Sequence, residues 1–156
     1  MKGMKTMIES IIIAPQILPS NSSPISFTTD QIRTNSTKCN GWLCRTEGSP
    51  LYKIIKGGLY EIDLTAHVTS AEAGIVALGL YRDGILDPST VVAQTLAAAG
   101  DNTELSINKT IKVCCEANEN ISIGAVPSVI STATLVATDT VVPTIINANL
   151  SITRNC

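Results

Sequence analysis

The chain has 156 residues and a formal net charge of −2, from 11 basic and 13 acidic side chains. That is the size of one ordinary domain, with little room for a second core. Charged residues make up 15% and apolar ones 44%, against about 25% charged in a typical domain, which excludes a disordered or strongly charged chain. Lys and Arg are unclustered, and the five aromatics are Phe27, Trp42, Tyr52, Tyr60 and Tyr81. No nucleic-acid partner is therefore expected, and the core is expected to be Ile, Val, Leu and Ala rather than large rings.

Between Met1 and Pro19 the only unbroken apolar run is Ile11 to Ala14, too short for the core of a secretory leader, so no signal peptide is read. No stretch approaches the roughly 20 apolar residues that span a bilayer, so membrane insertion is not expected. Residues 1–25 read as an N-terminal arm or first strand, with Ile8 to Leu18 extended up to Pro19, and residues 26–156 as a single domain. A turn at Asn21 to Pro24 leads to a second strand around Ser26 to Thr34.

From Ile54 onward the pattern is alternation of period two, broken by Gly, Asp, Asn and Pro, the signature of antiparallel strands. In Leu59 to Val68, Tyr60, Ile62, Leu64, Ala66 and Val68 point one way and Glu61, Asp63, Thr65 and His67 the other. Gly74 to Tyr81 is apolar in both phases, which predicts cover on both sides by a second sheet or another subunit. Arg82-Asp83-Gly84 signals a tight hairpin, leading through Asp87-Pro88 into Val91 to Leu96. After a turn at Ala98 to Asn102, Glu104 to Cys115 places Leu105, Ile107, Ile111, Val113 and Cys115 inward and Lys112 and Cys114 outward. Ile121 and Ile123 mark a short strand, Val126 to Thr140 two more, and Ile146, Ala148, Leu150 and Ile152 a buried C-terminal strand. About ten strands without sustained helical periodicity predict an all-β, antiparallel two-sheet jelly-roll sandwich.

The cysteines are Cys39, Cys44, Cys114, Cys115 and Cys156, an odd set without zinc-ligand spacing. A disulfide across the Cys39–Cys44 loop is sterically feasible and would contribute at most about 2 to 3 kcal/mol on the chain-entropy model. Cys156, at the chain end, is the candidate interchain thiol. Trp42, in the same loop, is the candidate for stacking on a sugar ligand, because an exposed Trp is costly unless covered or used. The single His67 lies on a polar strand face with no Gly-x-Ser-x-Gly elbow in the chain, so a nucleophilic triad is not expected. Asp83, Asp87, Asp101 and Glu104 fall in or beside turns and are read as turn chemistry rather than a calcium site. No cofactor, no metal and no enzymatic activity are expected.

The ordered series Phe27-Thr-Thr-Asp-Gln-Ile-Arg, Gly58-Leu-Tyr-Glu-Ile, Ala73-Gly-Ile-Val-Ala-Leu-Gly-Leu, Ala97-Ala-Ala-Gly-Asp, Ile111-Lys-Val-Cys-Cys and Asn147-Ala-Asn-Leu-Ser-Ile-Thr-Arg resembles small bacterial and prophage proteins of the C1q and tumour-necrosis-factor-like jelly-roll class. The resemblance covers residues 8 to 154 and implies a homotrimer of ten-stranded jelly rolls. It departs from collagen-stalked spore-surface members in that no Gly-x-y stalk precedes the domain, and the Cys39–Cys44 loop is an addition. The resulting expectation is a non-enzymatic trimeric structural or attachment protein, a phage or prophage virion knob with a host-surface glycan as partner. The alternative is a spore-coat or endospore-appendage subunit joined through its N-terminal arm and cysteines. Either places the protein on a virion or at an extracellular or spore surface after release from the cell.

Overall fold

The computed structural model describes residues 6–19, 23–33, 41–114, 118–130 and 137–155. In chain order the strands are β1 (Thr6–Ile11), β2 (Gln16–Ile17), β3 (Thr29–Arg33), β4 (Leu43–Cys44), β5 (Tyr52–Ile54), β6 (Gly58–Thr69), β7 (Gly74–Arg82), β8 (Ile85–Leu86), β9 (Val92–Leu96), β10 (Asn102–Val113), β11 (Glu119–Ala125), β12 (Ser128–Ile130), β13 (Ala137–Asp139) and β14 (Thr144–Asn155). A 3-10 turn, Pro88–Thr90, precedes β9. The count exceeds the expected ten because β2, β4, β8 and the β12–β13 hairpin are pieces of two or three residues.

The architecture is a jelly roll wound from nested antiparallel pairs. The innermost pair is β7 with β9, followed outward by β6 with β10, β5 with β11 and β1 with β14. Successive pairs go to alternate sheets, so one sheet runs β10-β6-β14-β1-β3 with β2 on β14, and the facing sheet runs β4-β5-β11-β7-β8 with β9 on β7. The chain folds this way because each long strand has one apolar phase to bury. On β6 that phase is Tyr60, Ile62, Leu64, Ala66 and Val68, each at most 2% exposed, as the alternation predicts. The β7–β8 turn is the two-residue hairpin read from Arg82-Asp83-Gly84. Its central residues have φ of +51° at Asp83 and +79° at Gly84, the two positive angles that a type I′ turn demands.

Several expectations are corrected. The doubly apolar β7 needs no partner subunit: a side-chain carbon at Gly79 would lie 2.6 Å from Leu86, 3.1 Å from Val126 and 3.5 Å from Val91, so the chain itself covers the second face. On β14 the residue in the core is Ile145, not Ile146, because a bulge between Ile145 and Asn147 resets the alternation before Ala148, Leu150 and Ile152. The continuous strand read from Ile8 to Leu18 is broken around Pro15 into β1 and β2, and β1 lies inside its sheet between β14 and β3. Finally, rings do contribute to the core: Phe27, Trp42, Tyr52 and Tyr60 are all buried.

Asp87 caps the 3-10 turn. Its Oδ1 accepts from Ser89 Oγ at 2.7 Å and Ser89 N at 3.0 Å, and chiefly the Ser89 hydroxyl bond lowers its pKa below the ordinary carboxylate value. A lowered folded-state pKa means that the cap's contribution is present above the unfolded pKa and is lost as pH falls through the folded one. Asp87→Ala is expected to cost about 1 kcal/mol near neutral pH. Urea unfolding should show that difference shrinking below about pH 4, where the carboxylate protonates in the wild type.

Candidate functional site

The outer face of the β10-β6-β14 sheet is open and mostly polar, because, Leu59 at the start of β6 apart, the outward phase of each strand is Ser, Thr, Asn, His or charged. Register aligns these residues in rows across β14, β6 and β10: Asn149, Thr65 and Ser106 in one, Ser151, Asp63 and Asn108 in the next. Asn108 donates to Asp63 across the strands. His67 sits between Asn147 on β14 and Glu104 on β10, with Nδ1 2.7 Å from Asn147 Oδ1 and Nε2 3.1 Å from Glu104 Oε2. Its carboxylate neighbour is thus across the sheet, not Glu61 or Asp63 on its own strand. Toward β1 and β3 the same sheet turns apolar at its surface. Ile13 and Ile17 are 72% and 68% exposed on the β1–β2 turn and on β2, and Ile32 is 40% exposed on β3 opposite Glu9.

A concavity of about 650 Å³ opens at one end of the sandwich, where β5 passes to β6 and where β10 and β14 finish; it is lined by Ile55, Lys56, Gly57, Gly58, Lys112, Val113, Cys114 and Arg154. Arg154 pairs with Tyr60 in the strand register and its Nη2 donates to Gly57 O at 2.9 Å. Gly58 has φ of +148°, a backbone conformation that favours glycine, and a side-chain carbon there would stand in ordinary contact with Arg154 Nε at 3.4 Å. Tyr60 Oη donates to Lys56 O. Arg82, ion-paired with Glu119 at 3.0 Å, donates to Lys112 O at 2.9 Å. The backbone carrying both lysines is held from below. Sequence reasoning missed this group because Lys56, Lys112 and Arg154 come from three strand ends far apart in the chain, with no local motif.

Trp42 is not the exposed ring expected of a sugar platform. It is 2% exposed, and it stacks on Tyr60 with ring centroids 5.7 Å apart and planes 23° apart. Ile55 N donates to Trp42 O at 2.8 Å, so the tryptophan anchors the loop before β6, and the expectation of ligand stacking there is withdrawn. Cys44 is disulfide-bonded, whereas Cys39, the partner expected for it, lies outside the described residues, as do Cys115 and the interchain candidate Cys156. Cys114 follows β10, which ends at Val113, and is exposed. Alkylation of the native protein without reductant should label Cys114 rapidly and leave Cys44 unlabelled until the disulfide is reduced, read by mass spectrometry of peptides. Rapid native labelling of Cys44 would contradict the disulfide.

No family model matches the chain, and no curated protein sequence matches it. Solved structures do. The globular domain of zebrafish complement 1qA superposes with a TM-score of 0.56 at 10% identity, over 97% of this chain and 100% of that one. The crystal structure of murine APRIL at pH 5.0 superposes with a TM-score of 0.65 at 6% identity, over the same 97% and 100%, and the pH 8.0 structure with 0.63 at 7%. The fold is therefore the jelly roll of C1q and tumour-necrosis-factor-like domains. At such identities the likeness defines the fold and leaves the function to the residues of this chain.

Proposed function

We propose that this protein is a non-enzymatic homotrimeric knob, a structural or attachment module of a phage or prophage particle. The observation that carries self-association is the distribution of exposed apolar side chains. Of seven large ones among the described residues, Ile13 and Ile17 on the β1–β2 turn and β2, and Ile32 on β3, lie toward the β1–β3 edge of a single sheet. Soluble monomers rarely leave such residues gathered, and a threefold contact along the β1–β3 side would cover them while the polar rows stay wet. The likeness of the fold to C1q and APRIL domains supports a module of this architecture, and the particle is proposed from the resemblance of the motif series alone. A disulfide at Cys44 supports life outside a reducing compartment. A trimer would multiply weak contacts to a host-surface glycan into useful avidity.

A spore-coat or appendage subunit is the second reading, favoured by the exposed thiol of Cys114 as a point for joining neighbours. Light scattering at micromolar concentration should report three times the 16.4 kDa chain mass, and a value of one chain would sink the trimer. Electron microscopy then separates the readings: discrete three-lobed particles support the knob, and long fibres dissolved by reductant support the appendage.

A further inference from the structure

We infer that the Asp87–Pro88 peptide bond is a self-cleavage site, cut in mild acid into fragments 1–87 and 88–156, a property of each protomer that does not depend on the trimer. The turn brings together the parts that such a reaction needs. The scissile carbonyl is polarised: Asp87 O accepts from Thr90 N at 3.1 Å and from Thr90 Oγ1 at 2.7 Å, two donors at the distances that stabilise an oxyanion. Thr90 is 4% exposed, and its hydroxyl oxygen accepts from Leu80 N at 2.8 Å, which turns the hydroxyl proton toward Asp87 O. Asp87 N donates to Leu80 O at 2.9 Å, so β7 grips both ends of the turn. The nucleophile is the carboxylate of Asp87 itself, a reactant already in place; Ser89 holds Oδ1, and Oδ2 is the oxygen that attacks. The leaving group is Pro88 N, in an exposed residue that solvent acid reaches. Oδ2 bonds to the carbonyl carbon of Asp87, the C–N bond to Pro88 breaks, and the nitrogen departs with a proton from solvent. Water then opens the cyclic anhydride and leaves Asp87 with two carboxyl groups, so the net change is hydrolysis by one water. Acid must supply the proton while the carboxylate stays ionised. The Ser89 hydroxyl bond chiefly, with Lys109 of β10 and Arg82 of β7 as neighbouring cations, holds Asp87 below the ordinary carboxylate value, so the two conditions overlap. Each sheet takes strands from both fragments, which keeps the nicked chain assembled.

The test incubates the oxidised full chain at about pH 7 and at the lowest pH, down to about 4, at which Trp42 emission stays native. A parallel acid sample is unfolded in urea, and mass spectrometry after reduction reads the chain masses. Fragments 1–87 and 88–156 are expected in acid, about tenfold faster or more from the folded chain than in urea, because the two donors on the carbonyl exist only in the fold. Thr90→Val removes the hydroxyl donor and is expected to slow cleavage about tenfold or more, and Thr90→Ser should restore it. Pro88→Ala, at an exposed position, keeps the carboxylate and both donors and should leave the chain intact. Four results would overturn the site: an intact folded chain in acid, equal rates folded and in urea, equal cleavage at the two pH values, or a Pro88→Ala chain cut as fast as the wild type. Should Thr90→Val unfold, the comparison with urea and the Pro88→Ala chain decide the matter without it.

Discussion

Arg45→Ala is expected to lower the unfolding free energy by about 3 to 5 kcal/mol, the cost of leaving a buried charge without its partner. Arg45 and Asp30 form an ion pair with side chains 0% and 4% exposed. Around it, Ser10 Oγ donates to Asp30 at 2.6 Å, Arg45 donates to Phe27 O and to Ser49 O at 3.2 Å, and the guanidinium lies 4.4 Å from the Tyr52 ring centroid. The pair ties the segment after β4 to β3, closing the side where the two sheets' edges meet. Alanine would strand the Asp30 carboxylate in the core and strip Tyr52 of its cation. The double replacement Arg45→Met/Asp30→Leu removes both charges and should recover much of the loss, because two apolar groups of similar volume need no hydrogen bonds there. Urea unfolding of the oxidised protein measures both, and a loss below about 1 kcal/mol for the single variant would mean that the pair is solvated.

Ile13→Glu/Ile17→Glu is expected to turn the proposed trimer into a monomer, dropping the mass in light scattering from three chains to the single chain of 16.4 kDa. Both isoleucines are about 70% exposed in the protomer, so each change should alter folding by no more than about 0.5 kcal/mol, whereas six carboxylates forced into one threefold contact cannot all be paired. The control is Ile85→Glu/Ile130→Glu. These residues are 73% and 70% exposed, Ile85 on β8 of the other sheet and Ile130 on β12 of the separate two-stranded β12–β13 sheet, and the proposed trimer should survive their replacement. Loss of the trimer in the control alone would move the contact to the opposite sheet.

The sequence by itself determined the fold class, because a half-buried strand writes its burial into every second residue. The phase of β6, the inward set on β10 and the Asp83-Gly84 turn are all local properties, and each is legible without knowing what lies across the core. Only the tertiary structure decided what covers a surface, since cover comes from residues distant in sequence. Gly74 to Tyr81 called for cover by a second sheet or another subunit until Leu86, Val91 and Val126 were placed over it. Trp42 looked exposed until Tyr60 was placed beneath its ring. The Arg45–Asp30 pair and the three cations at the sandwich end were invisible for the same reason, as a charge carries no period and acquires meaning only when the pairing of strands sets its surroundings.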